Sequence, residues 1–260
     1  MTEPDKSKAL RIASTVLLLR DGGDGMEIFM VQRNRAIEFA SGALVFPGGS
    51  IDPNDYEIAE TLATGLPNEV AAIRVAGVRE TFEESGILLA RARGSDALVS
   101  ANMAEKVAPL RAAVDKGDVK FSEILNEHDL VPAVDLLVPF AHWITPVDLP
   151  KRFDTHFLLA LAPKDHVGKH DGHESVDSIW LTPRTALEGA QTGRFMLQFP
   201  TVRNLIKLDK LKTAKAAMDH AQKTPVVTVM PELTRNENGG SRLRIPKDAG
   251  YDGELFDIQV

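Results

Sequence analysis

Arg79-Glu80-Thr81-Phe82-Glu83-Glu84-Ser85-Gly86-Ile87 is the stretch on which the reading of this chain turns. At about 100° per residue, a helix carries Glu80, Glu83 and Glu84 on one face, because they stand at i, i+3 and i+4. Ala71, Val75, Val78 and Phe82 fall on the other side as an apolar stripe suited to packing on a sheet. The expectation is a helix with one anchored face and one acidic face. Like charges at this spacing cost a helix roughly a few tenths of a kcal/mol, and crowding three carboxylates into a partly dry cleft raises their pKa values. A divalent cation removes that cost, and a chain without cysteine offers hard ions such as Mg²⁺ carboxylate oxygen. The plainer alternative is a solvated acidic face on which Arg79 reaches Glu83 at i+4.

The flanks favour a site. Upstream, Ala43-Leu44-Val45-Phe46-Pro47-Gly48-Gly49 reads as a short buried strand ending in a sharp turn, where glycine permits close approach of backbone to a ligand. Downstream, Gly86 suits a helix C-cap before the apolar run Ile87-Leu88-Leu89-Ala90, read as a strand. Together these residues resemble the Nudix hydrolase signature, G-x5-E-x7-R-E-U-x-E-E-x-G-U with U aliphatic, whose second half is matched by Arg79, Glu80, Glu83, Glu84, Gly86 and Ile87. Thr81 stands where an aliphatic residue is usual. Counting back from Arg79 puts the pattern's glycine at Gly65 and its glutamate at Ala71, so Ser50 to Pro67 reads as an insertion within the box. An insertion at this place is similar to that of the peroxisomal coenzyme A diphosphatases of animals. The lead-in Asn68 to Val78, Trp143-Ile144-Thr145-Pro146 and Arg152-Phe153-Asp154-Thr155-His156-Phe157 support that branch.

The resemblance implies an α/β fold, a Nudix-type α/β/α sandwich with a mixed sheet and an added helical insertion. It implies hydrolysis of a nucleoside diphosphate linked to another moiety, with Glu80, Glu83 and Glu84 holding Mg²⁺ or Mn²⁺, the Gly48 carbonyl a further ligand, and Arg79 orienting the glutamates. Catalysis of that kind rests on positioning and on spreading negative charge. Coenzyme A or an acyl-CoA is the favoured substrate. A nucleotide sugar, ADP-ribose or a dinucleotide is the alternative, and a Nudix-fold nucleotide-binding regulator without catalysis is the second alternative. A pattern of a separate coenzyme A branch is matched in part by Arg33, Gly42, Phe46, Pro47, Gly48 and Gly49, while Asn34 and Glu38 depart from it. Arg33, Arg35, Phe46 and Arg152 are the candidate substrate contacts, guanidinium matching phosphate geometry; Arg152 could equally pair with Asp154. Phe39 is read either as a base-stacking ring or as core cover. The polar loop from Asp165 to Glu174 carries His166, His170 and His173. Their spacing matches no familiar zinc motif, and Glu174 and Asp177 are alternative bases or ligands.

Composition bounds the rest. With 260 residues and 43% hydrophobic content, one large domain over 1–260 is expected, with insertions at about 50–67 and 92–135 and a β-prone tail at about 222–260. A net charge of −7 argues against nucleic acid as a partner. The absence of cysteine fits a reducing, cytoplasmic setting. Met1 to Lys6 shows no apolar signal segment and no run reaches the length of a membrane span. The expected partner is a small-molecule diphosphate substrate, and family analogy points to a homodimer. Ile12 to Leu19 and Met26 to Gln32 read as a hairpin across Asp21 to Gly25. Ala101 to Val114 and Phe121 to His128 read as helices, as do segments near Thr185 to Thr192 and Thr201 to Leu208; Pro139 to Thr145 and Thr155 to Leu161 read as strands, and Trp180 closes another. The tail reads as a hairpin around Asn236 to Gly240, and the insertion at 50–67 as a lid.

Overall fold

The computed structural model describes residues 10–34, 42–172 and 175–258. Its sheet starts from the expected hairpin. Strand β1 (Leu10–Gly22) turns back through Gly25, which takes φ +117°, into antiparallel β2 (Gly25–Arg33). Val16 and Leu18 of β1 enter one core and Leu17 and Leu19 the other, and all four are fully buried. That continuous apolar run belongs to a strand covered on both faces.

The two hairpin strands then part. β2 pairs with β1 through Ile28 but with β3 (Leu44–Val45) at Val31 and Gln32, while β1 pairs with β4 (Gly48–Ser50) at Ala13, Ser14 and Thr15. The segment 43–50 thus fills a fork in the middle of the sheet, tied in by Val16 N–H donating to the Pro47 carbonyl at 2.8 Å. β7 (Val138–Ile144), β8 (Arg152–Leu161), β9 (Ser175–Leu181) and β10 (Thr228–Val229) complete eight strands. The order is β10-β7-β8-β1-β2-β3, with β4 on β1 and β9 on β2. β1 runs parallel to β8 and β10 parallel to β7, so the sheet is mixed.

Helix α2 (Asn68–Ser85) crosses one face together with α1 (Pro53–Glu60), α3 (Ala101–Val107), α4 (Arg111–Asp115) and α5 (Phe121–Glu127). The other face is covered by α6 (Pro183–Gln191), α7 (Phe199–Asp209) and α8 (Ala214–Lys223). This is the expected α/β/α sandwich. The helical insertion is clipped at its base by β5 (Ala90–Ala92) pairing with β6 (Leu130–Pro132), and Pro109 lies in the short 3-10 turn that separates α3 from α4. In the tail, β10 joins the main sheet, while β11 (Glu232–Arg235), β12 (Ser241–Arg244) and β13 (Leu255–Ile258) form a separate antiparallel sheet. That sheet is moored to the body where Trp143 Nε1 donates to the Tyr251 hydroxyl at 2.9 Å and Tyr251 donates to Asn204 Oδ1 at 2.8 Å.

Three expectations are corrected. The segment read as a lid contains α1, whose Ile58 and Ala59 are buried in the α2 core and whose Asn54 amide donates to Ser122 Oγ of α5 at 2.9 Å. Ile87, Leu88 and Leu89 are buried but extend no ladder; strand pairing begins only at Ala90. For α2 it is the plainer alternative, a solvated acidic face, that is corrected: Arg79, Thr81, Glu83, Glu84 and Ser85 are buried along with its apolar residues, because α1 and α4 pack on it as well as the sheet. No described helix is long and apolar enough to cross a membrane.

Gly77 is what lets α2 lie so close to β1. A Cβ there would stand 2.9 Å from Leu137 Cδ2 and from Ser14 Oγ, and 3.0 Å from Val16 Cγ2. Gly77→Val is therefore expected to destabilise the fold by about 1–3 kcal/mol through overpacking, read as a lowered urea midpoint at unchanged slope.

Candidate active site

Helix α2 ends where expected, with Gly86 left-handed at φ +72° and its N–H donating to the Phe82 carbonyl at 2.8 Å. The last turn brings the glutamates under the fork in the sheet. The Gly48 amide donates to Glu84 Oε2 at 3.2 Å. A Cβ on Gly49 would lie 2.5 Å from Glu80 Oε1, and one on Gly48 would lie 2.4 Å from the Ser14 carbonyl oxygen. Gly48 is thus required by backbone contact, while a side chain at 49 would displace the Glu80 carboxylate.

Arg79 holds the group together. Its Nη1 donates to Glu80 Oε1 at 2.9 Å and to Glu83 Oε1 at 3.1 Å, and its Nη2 to the Ser50 carbonyl at 2.9 Å. Nε and Nη2 grip Asp55 Oδ1 and Oδ2 at 2.9 and 2.8 Å, a two-pronged pair. Asp55 is fully buried. Its Oδ2 also accepts from the Asp52 amide at 2.8 Å, one half of the capping box that starts α1. Burial by itself would lower the Arg79 pKa, but Glu80, Asp55 and Glu83 outweigh it and raise it, so the guanidinium stays charged. Burial pushes the Asp55 carboxyl up against the pull of Arg79. Burial, and next the neighbouring Glu80, push the Glu83 carboxyl up to about 8.

The helix end has a second cation. Arg111 of α4 donates from Nε to the Glu83 carbonyl at 2.9 Å, and a Cβ on Gly86 would lie 3.2 Å from its Nη1. The Lys169 amide donates to the Ser85 carbonyl at 2.7 Å, so the polar loop also closes this terminus. Glu80, Glu83 and Glu84 offer the carboxylate oxygens that a hard dication takes, and its charge would release Glu83 from its raised pKa, but their oxygens do not converge on one point in this arrangement. In the arrangement seen here, Glu80 and Glu83 lean on Arg79, and Glu84 on Gly48.

Arg79, Glu80, Glu83, Glu84 and Gly48 are therefore brought together. The substrate-contact set fares unevenly. Phe46 is corrected: it is 3% exposed and belongs to the core on the face away from α2, so its ring is not open to a substrate. Arg152 does not pair with Asp154; its Nε donates to the Thr145 carbonyl at 3.2 Å. Arg33 closes β2, half-buried, its amide bonded to the Ala43 carbonyl at 2.9 Å. Arg35, Glu38 and Phe39 lie outside the described residues, as do His173 and Glu174. In the polar loop, His166 is buried against the Val99 carbonyl at 3.1 Å while His170 sits 3.3 Å from Ser178 Oγ, so these two do not share a ligand site. Asp177 is exposed.

Asp55 and Arg111 escaped the sequence reading. For Asp55 a signal existed. Counting forward from Gly49, five residues precede Asp55, so it occupies the pattern's first acidic place with aspartate for glutamate, and the insertion begins after it. Nothing local marks Arg111, whose contact depends on how the helical insertion folds back. Asp55→Ala removes both the partner of Arg79 and a cap of α1. It is expected to cost about 3–5 kcal/mol in chemical denaturation, as breaking a buried pair does.

Comparison with known proteins shows the family. The chain is 26% identical over 226 residues to the acyl-coenzyme A diphosphatase NUDT19 of Xenopus laevis, covering 70% of this chain and 59% of that one. It is 30% identical over 177 residues to the protein of the same name from Gallus gallus, covering 62% and 47%. It thus spans about half to two thirds of the length of the curated relatives it matches. The crystal structure of a NUDIX hydrolase from Alicyclobacillus acidocaldarius superposes with a TM-score of 0.69 at 29% identity, over 84% of this chain and 99% of that one. The sequence model of the NUDT19 Nudix domain matches residues 57–208, more than half of the chain, and on that match the protein belongs to the Nudix hydrolase family, within its NUDT19-type group.

Proposed function

We propose that this protein is a metal-dependent hydrolase that cleaves the diphosphate of coenzyme A or an acyl-CoA. Water adds across one P–O bond of the diphosphate bridge, giving adenosine 3',5'-bisphosphate and phosphopantetheine or its acyl form. The observation that carries the reading is the gathering of Glu80, Glu83 and Glu84 at one buried helix end against Gly48 and Gly49, where burial and Glu80 push the Glu83 carboxyl up. A protein gains no stability from such a cluster, whereas a cation-dependent reaction needs it. The acyl-CoA substrate class is supported by the activity for which the NUDT19 relatives are named.

Glu80, Glu83 and Glu84 would hold Mg²⁺ or Mn²⁺, with the Gly48 carbonyl as a further ligand. When bound, such an ion lowers the pKa of attacking water and offsets charge on the bridging and leaving oxygens. The chain's own work is orientation. Gly48 N–H fixes one oxygen of Glu84, Arg79 aims Glu80 and Glu83, and Asp55 fixes Arg79. Arg33 and Arg152 are proposed to meet the anionic substrate; Arg152 pairs in register with Leu10, four residues along β1 from the Ser14–Gly49 pair.

Purified protein with Mg²⁺ or Mn²⁺, assayed on coenzyme A, acyl-CoA, ADP-ribose, nucleotide sugars and dinucleotides, tests the substrate. Cleavage of coenzyme A or acyl-CoA is expected; a clear preference for ADP-ribose overturns the substrate, and tight binding without cleavage of any member overturns catalysis. Glu84→Gln is expected to lower kcat by more than about 100-fold, beyond the range for residues that only support a ligand, with the melting temperature kept. Arg79→Lys keeps the charge but loses the two-pronged grip on Asp55, and a loss of about 10–100-fold in turnover is expected.

A further inference from the structure

Neighbouring strands place a second set of metal-type donors on the α2 face of the sheet, apart from the glutamates. His142 of β7 and His156 of β8 are cross-strand partners, and Asp154 lies two residues before His156 on the same face. One ligand atom from each of these three side chains lies within 4.8 Å of the others. The imidazoles stack, with ring centroids 4.1 Å apart and planes at 17°. Both Nε2 atoms converge on Asp154 Oδ1: that of His156 at 3.5 Å, that of His142 in closer contact.

We propose that His142, Asp154 and His156 form a second cation site, selective for a transition-metal dication of the Zn²⁺ or Co²⁺ class. Two imidazole nitrogens and one carboxylate oxygen are a donor set that such ions prefer and that Mg²⁺ does not. Ligands about 2.0–2.2 Å from a tetrahedral ion stand roughly 3.3–3.5 Å apart. The His156 to Asp154 separation has that spacing already; because the two rings lie nearly parallel, one imidazole must turn about its Cβ–Cγ bond, and His142 draw back from Asp154, to bring both Nε2 lone pairs onto one ion. The frame is rigid, because two paired strands, not long side chains, set the positions. On the far side of His142, its Nδ1 lies 2.8 Å from Thr228 Oγ1, the kind of outer contact that fixes a ligating ring. Side-chain exposures of 18%, 19% and 29% for His142, Asp154 and His156 leave the cluster reachable from solvent, with room for water as a fourth ligand. The site is separate from the glutamates. Thr228, His142, His156, Ser14 and Gly49 form one row of register partners across β10, β7, β8, β1 and β4. His156 is two strands from Gly49, about 10 Å between backbones, and Glu80 is not among the side chains whose donor atoms gather with His142, Asp154 and His156.

Untagged protein in excess Mg²⁺, which occupies carboxylate sites, is titrated with Co²⁺ by calorimetry and visible absorption. One Co²⁺ per chain is expected in wild type and in Glu84→Gln, with affinity lowered at least about 10-fold in His142→Gln and His156→Gln. No stoichiometric uptake by wild type overturns the proposal, as does wild-type affinity in both histidine variants; a hydrogen-bonded His–Asp network is then the whole account. Should the variants fail to fold, imidazole ¹⁵N spectra of wild type with Zn²⁺ decide. Shifted Nε2 resonances of His142 and His156 support the site, and unshifted ones overturn it.

Discussion

The Arg79 guanidinium is the constraint on which the catalytic half of this molecule depends. Buried beneath the sheet, it contacts Asp55, Glu80, Glu83 and the Ser50 carbonyl at once. These partners come from α1, α2 and the end of β4. None of the carboxylates could be buried so deeply without it, since an ion removed from water costs several kcal/mol unless it is paired. Lysine has neither the reach nor the forked geometry to serve three carboxylates and a carbonyl together.

That arrangement exists only because the sheet opens. β1 and β2 separate after their hairpin, and the strand pair β3 and β4 enters the gap, bringing Gly48 and Gly49 to the centre of the fold instead of to an edge. Glycine at 49 leaves the volume that Glu80 fills, and glycine at 77 lets α2 sit on Ser14 and Val16. Sheet and helix are thereby held at one fixed spacing, and the acidic cluster lies in the seam between them.

Features that depend on neighbours in sequence were legible from it. The hairpin, the Gly86 cap, the helix period that aligns the glutamates and the helices of the insertion all follow from local spacing. Features decided by distant partners were not. The acidic face of α2 is covered by β4 on one side and by α1 and α4 on the other, so it is buried despite its polarity. Helix α8 buries only Ala214, Ala217 and Ala221, too little apolar surface to stand out from a polar segment. Phe46 follows a strand whose next residues turn into the site, but its own side chain points to the opposite core. His142 is the most instructive case. Phe140, Ala141 and Trp143 all enter the same core, because a bulge between Pro139 and Ala141 breaks the alternation of β7. Simple alternation would place His142 with Phe140, away from His156; the bulge turns it to the α2 face.

The insertion within the box raises the question of how an interrupted motif keeps its geometry. Asp55 and Arg79 are separated by a helix and a loop, yet they meet in a two-pronged pair. The capping box supplies the reason. Asp55 is the third residue of α1, and the Oδ2 that binds Arg79 also accepts the Asp52 amide. Starting the helix and orienting the carboxylate are one event, so α1 cannot form its first turn correctly without pointing Asp55 at the place Arg79 must occupy. Asn54 locks the same turn from the other side through its contacts with Ser122 of α5. The inserted residues therefore lengthen the chain between two parts of the motif without loosening them, since they continue a helix whose first turn, with Asp55, is itself part of the site's support.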